Sequence, residues 1–135
     1  MLRPLLNPAP YSTHAALLLI RLFSLFMVYY GYDKLVYFEE KAAYWPDPFH
    51  MGSDVTLALT ITAELVCPVL VAAGFYTRFA LVPAILNMLF AIFIGHSGQP
   101  FMEREHAFSF LVPFVAIFLA GPGKFSLDVI LRPKR

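Results

Sequence analysis

The sequence predicts an all-α integral membrane protein: a four-helix bundle, N-in/C-in, with a tight hairpin between helices two and three and an interfacial C-terminal segment. Three observations carry this. Apolar residues make up 59% of the 135 and charged residues 14%, with a mean hydropathy of +0.68, outside the range of an ordinary soluble domain. The apolar residues fall into four blocks, about 14–32, 55–76, 79–95 and 106–121, and a membrane helix needs roughly 20 such residues. With alternating helices, Arg3, Arg78, Lys124, Arg132, Lys134 and Arg135 share one side, against Lys34, Lys41 and Arg104 on the other. The side richer in Lys and Arg is expected to be cytoplasmic. The length fits one domain, 1–135.

The first block, AALLLIRLFSLFMVYYGY (15–32), is longer than a signal-peptide core and runs into Tyr32 and Asp33 rather than a small-residue cleavage site, so it reads as a retained helix. The connection 33–54 carries aromatics at 37, 38, 44, 45 and 49 beside Pro46 and Pro48, the composition of an aromatic belt lying in the outer interface, with a binding lid as the alternative. The second block, VTLALTITAELVCPVLVAAGFY (55–76), reaches the third through a very short connection, Tyr76-Thr77-Arg78, which makes the two an antiparallel hairpin. The connection 96–105, HSGQPFMERE, is polar with turn residues. The fourth block is the shortest and must cross with little tilt. Gly121-Pro122-Gly123 stops it. The tail 122–135 then reads either as unstructured or as a short interfacial segment capped by Ser126, with Leu127, Ile130 and Leu131 along one side and Lys124, Arg132, Lys134 and Arg135 toward an anionic leaflet.

Two charges stand inside the apolar blocks, Arg21 in the first and Glu64 in the second. A lone charge at a bilayer centre costs about 2.5–3.5 kcal/mol on insertion scales, so opposite charges are expected to meet inside the bundle. At 1.5 Å per residue, Arg21 falls roughly 12 Å from the inner face and Glu64 roughly 14 Å from the outer one, with Asn87 near the same level. Three consecutive helices then contribute one polar residue each to one layer. The layer has two readings. It is an Arg21–Glu64 pair with Asn87 that fixes helix register, although a buried pair is not automatically stabilising. Or it is a pocket in which Arg21, Glu64 and Asn87 hold the head of a lipid-soluble or anionic molecule. Asp33, Lys34, His96, Glu103, Glu105 and His106 form a second cluster at the outer rim, in which Lys34, His96, Glu105 and His106 are the expected entrance to that pocket. Their spacing fits no metal-ligand pattern, and no metal is expected. Cys67 is the single cysteine, which excludes an internal disulfide or a C-x-x-C relay. No phosphate loop, nucleophile elbow, haem-attachment site or nucleic-acid signature occurs, and no self-contained catalytic motif.

RLFSLFMVYYGYDKL (21–35), AELVCPVLVAAGFYTR (63–78) and EHAFSFLVPFVAIFLAGPGKFSLD (105–128) resemble, in order, the first-helix, second-helix and fourth-helix signatures of the DoxX family. The resemblance covers nearly the whole chain, and the ordered set is more specific than any one motif. Carried over, the family's positions are Arg21, Gly31, Lys34, Glu64, Gly74, Arg78, Glu105, Gly121, Gly123, Ser126 and Asp128. The aromatic, acidic first loop and His106 after Glu105 depart from its pattern. The resemblance implies a multi-pass protein of a bacterial inner membrane. Its relatives include subunits of thiosulfate:quinone oxidoreductase and a membrane component of an oxidoreductase complex linked to thiol and oxidative stress. The expected function is therefore a subunit of a quinone-linked redox system. Its partners would be membrane lipid, a quinone, and a redox subunit or a second copy of the chain; it would carry no covalent cofactor. The alternative is a non-catalytic membrane scaffold or assembly factor whose buried ion pair only fixes helix packing.

Overall fold

A computed structural model describes residues 11–133. The described residues are helical, without strands: α1 (Ser12–Phe23), α2 (Phe26–Val36), α3 (Phe38–Ala42), α4 (Ser53–Ala73), α5 (Thr77–Phe90), a π-helical turn (Ala91–Gly95), α6 (Phe101–Ala120) and α7 (Leu127–Ile130). Three stretches are long and apolar enough to cross a membrane: Ser12–Val36, Ser53–Ala73 and Thr77–Gly95. At 20 residues α6 has the length, but Glu103, Arg104 and Glu105 occupy its first turns.

The first block is therefore two helices set end to end. The N–H groups of Ser24 and Leu25 bond three residues back, to the carbonyls of Arg21 (3.0 Å) and Leu22 (3.1 Å). The Ser24 hydroxyl lies 2.6 Å from the Arg21 carbonyl and 2.9 Å from that of Pro68. A hydroxyl competing for backbone carbonyls tightens the turn into 3₁₀ geometry and breaks the α ladder. At its other end α2 runs on past residue 32, through Asp33 and Lys34 to Val36.

Helix α4 is the packing centre, touching α1, α2 and α5, while α6 lies on α5 and returns to α1. The core joins Met27, Cys67, Val71, Ala80, Leu81, Ala84, Met88, Ile92, Ala107, Phe110, Phe114 and Ile117. Two glycines set the register of the first helical block against α4. A Cβ on Gly31 would lie 2.9 Å from the Glu64 Cβ, and one on Gly74 would collide with the Arg21 guanidinium. Gly31 therefore faces Glu64 and Gly74 faces Arg21, and along each of the two chain segments the two positions are ten residues, about 15 Å, apart.

That register corrects the expected polar layer. Arg21 stands level with the α4–α5 turn, not with Glu64. The first helix does not start level with that turn. Its residues from Ser12 onward overrun the end of α4, and the chain after α6 packs against the overhang, with the Lys124 N–H 3.2 Å from His14 Nδ1.

Candidate functional site: a polar cavity and a tail anchored by Arg21

Arg21 is 1% exposed, and its guanidinium donates to the carbonyls of Pro122 (2.9 Å) and Phe125 (2.6 Å). It forms no ion pair among the described residues, although the Asp128 carboxylate is near enough to favour its charge; it ties down the segment that leaves α6. Asp128 finishes the tie. Its backbone N–H donates to the Gly74 carbonyl (2.8 Å). Its carboxylate accepts from the N–H groups of Tyr76 (2.7 Å) and Thr77 (2.9 Å) and from the Thr77 hydroxyl (2.6 Å). Tyr76, at the N-cap of α5, is left-handed (φ 46) and caps nothing with its own side chain. The orphan N–H groups of α5 are thus capped from about fifty residues away. Desolvation works against ionising Asp128, but these hydrogen bonds and the Arg132 guanidinium outweigh it and hold the carboxyl below its usual value.

Glu64 forms a different constellation. Lys34 Nζ lies 2.6 Å from Glu64 Oε2, and Asn87 Nδ2 donates to Glu64 Oε1 at 3.1 Å. The expected meeting of Glu64 with Asn87 is present, and the cation beside it is Lys34. Gly31 is the physical reason. With no side chain there, α2 approaches α4 closely, and Lys34, one turn further along, reaches inward along the contact.

Lys34, Glu64 and Asn87 line a cavity of about 120 Å³ with Thr60, Phe90, Ala91, Gly95, His96, His106, Trp45 and Pro46. This is room for about four waters, or for one small ring. Of the residues expected at the outer entrance, Lys34, His96 and His106 come together, their two imidazoles 5.5 Å apart and edge to face. Glu105 does not join them. It is exposed and lines an outer groove beside Phe26 and Tyr29, because successive residues on a helix point about 100° apart. The His106 ring is stacked on Tyr30 at 5.4 Å.

The π-turn helps to make the cavity. The His96 N–H reaches back five residues to the Ala91 carbonyl (2.9 Å), and the widened turn places Ala91, Gly95 and His96 along one wall. The aromatic loop contributes Trp45 and Pro46 as cavity walls and leaves Tyr37, Tyr44 and Phe49 exposed. Asp47 holds that loop, accepting from the N–H groups of Met51 (3.1 Å) and Gly52 (2.8 Å), while the Ser53 hydroxyl donates to the Trp45 carbonyl (2.9 Å). Desolvation opposes ionisation of Asp47 too, and the Gly52 and Met51 hydrogen bonds overcome it, so its carboxyl also sits below the usual value.

Trp45 was not legible as a site residue, since it reads as one aromatic among five. Its indole N–H is buried with no hydrogen-bond partner among the described residues, and Lys34 Nζ stands 6.0 Å from its ring centre. Thr60, Asn87 and Phe90 are shared between the cavity and an apolar groove of about 590 Å³ on the outside of the α4–α5 pair, which runs past Leu59, Pro83 and Leu86.

The family described as DoxX matches residues 16–97, a span that contains Lys34, Trp45, Glu64, Asn87 and His96. No curated protein and no solved structure matches the chain.

Proposed function

The chain belongs to the DoxX family, and we propose that it serves as a membrane subunit of a quinone-linked redox system, with the Lys34–Glu64–Asn87 cavity receiving the ring of a quinone-class lipid. The supporting observation is the shared wall of Thr60, Asn87 and Phe90, which sets a small cavity with polar walls directly against a larger apolar groove. An amphiphile with a compact polar ring and a long apolar tail matches that pair of spaces. The buried, unpartnered Trp45 N–H and the Lys34 ammonium are donors suited to a ring carbonyl, and Glu64 is an acceptor suited to the hydroxyl of the reduced ring. His96 and His106 border the same space, on its way to the surface. In this reading α6 also spans, both termini face the cytoplasm of a bacterial cell, and the cavity opens in the outer half of the inner membrane. Electrons are exchanged with a partner redox subunit. Arg21 has no part in the site.

The test is gentle purification followed by mass spectrometry of extracted lipids and an optical spectrum. One quinone per chain is expected, with none retained by Glu64→Gln. Trp45→Phe, which deletes only the N–H and part of the ring, should retain two- to tenfold less, from the roughly 0.5–1.5 kcal/mol of one hydrogen bond. No quinone in the wild type, or equal retention in all three proteins, rejects the proposal and leaves the Lys34–Glu64–Asn87 cluster as a packing device of a membrane scaffold.

A further inference from the structure

Another groove, of about 640 Å³, lies at the opposite end of the helices, where the segment after α6 folds over the α4–α5 turn. We infer that it seats the phosphate head group of an anionic phospholipid. Arg78, Lys124 and Arg132 line it, facing one carboxylate, Asp128. That carboxylate is already engaged by the hydrogen bonds of Tyr76 and Thr77, and of the three cations only Arg132 also acts on it electrostatically. Arg78 makes no side-chain hydrogen bond or ion pair among the described residues, and the Lys124 ammonium rests 5.3 Å over the Tyr11 ring rather than on an anion.

Two glycines stand at the rim of the groove. Gly121 and Gly123 both have positive φ (85° and 83°), a conformation that favours glycine, and a Cβ on Gly121 would stand 4.0 Å from the Arg78 Nη2. No side chain at that position covers the guanidinium. Beside the cations lie apolar side chains that the protein leaves uncovered, Phe79 at 78% and Val129 at 43% exposure. The level suits a lipid head, because the groove sits where the spans ending at Ala73 and starting at Thr77 meet. Arg offers a planar fork to phosphate and Lys a point charge. Basic recesses between membrane helices are suited to anionic heads, with acyl chains running down the apolar flank.

The experiment is native mass spectrometry of the purified protein after exchange into equal mixtures of phosphatidylglycerol and phosphatidylcholine with the same acyl chains. The wild type is expected to keep phosphatidylglycerol preferentially, and Arg78→Gln to lose roughly fivefold of that preference, with Lys124→Gln and Arg132→Gln each removing a similar factor. Lys41→Gln, at the other end of the helices, should change nothing. Equal retention of the two lipids, or an undiminished preference in the Arg78→Gln/Lys124→Gln double variant, overturns the inference. So does displacement of the lipid by millimolar inorganic phosphate, which would mark a site for free phosphate. A thermal melt of each variant separates loss of the site from loss of the fold.

Discussion

Gly74 faces Arg21 so closely that any side chain at residue 74 would overlap the guanidinium and the Cβ of Ser126. The glycine meets two demands in one residue. Its left-handed conformation (φ 70) ends α4, with the Phe75 N–H bonded to the Leu70 carbonyl and its own N–H to that of Val71, both at 3.0 Å. Its missing side chain leaves the space in which Arg21 reaches the carbonyls of Pro122 and Phe125. Turn, buried cation and C-terminal segment are thereby one structural unit.

Gly74→Ala should cost about 2–4 kcal/mol, combining left-handed strain with overpacking. Gly31→Ala meets the Glu64 and Leu65 side chains at 2.9 Å and should cost about 1–3 kcal/mol. Thermal unfolding in detergent reads both, and wild-type stability in either variant would contradict the register described here.

Lys34 and Glu64 should be energetically coupled, while Arg21 and Glu64 should not. Lys34→Met leaves Glu64 buried without its cation, and breaking a buried pair costs about 3–5 kcal/mol. The Lys34→Met/Glu64→Gln double variant should recover much of that loss. Arg21→Met and Glu64→Gln should instead add to within about 0.5 kcal/mol, as separate sites do. Strong coupling of Arg21 to Glu64 in a double-mutant cycle would place the two charges together after all.

Arg21→Lys keeps the charge but not the two-pronged reach. One ammonium cannot replace a planar guanidinium spanning two carbonyls, so the tail should loosen. Trypsin cleavage after Lys124 is the readout. Cutting is expected to be several-fold faster in Arg21→Lys than in the wild type, and unchanged cutting would count against the tether.

The tail should also loosen in acid. The Asp128 carboxyl is held below its ordinary value of 3.8, so the folded state favours its ionised form. That contribution is complete above the unfolded value and is lost as the pH falls through the lower folded one. Hydrogen-exchange protection of residues 121–131 should therefore hold at pH 5 and fall below about pH 4. Asp128→Asn should lose about 1 kcal/mol, as a helix cap does, and should flatten the acid dependence. Glu103→Gln, at the other end, should leave it intact.

The helices were legible because their signal is local. Apolar runs of membrane length, a three-residue turn and a Gly-Pro-Gly stop are properties of consecutive residues, and the described helices lie on the expected blocks with shifted ends. Glu64 and Asn87 were also within reach, since a polar side chain in an apolar run has to face a partner. The choice of partner was not. It depended on how far one helix slides along another, and counting residues from assumed membrane faces misplaces that register. Glu105 shows the same limit on a smaller scale: it is next to His106 in sequence, yet one step of helical rotation takes it out of the cavity.

The sequence by itself determined that this is a helical membrane protein of the DoxX family, and that Arg21, Glu64 and Asn87 must be accounted for inside it. Only the tertiary structure decided the pairing. Two glycines, Gly31 and Gly74, set α4 against the first helical block and put Arg21 and Glu64 at opposite ends of a stretch of about 15 Å. Arg21 then satisfies the backbone of the tail, and Glu64 takes Lys34 from the end of α2. The reason is physical. A buried charge takes the partner that packing brings within hydrogen-bond reach, and packing is set by close approach at small residues rather than by the charges themselves.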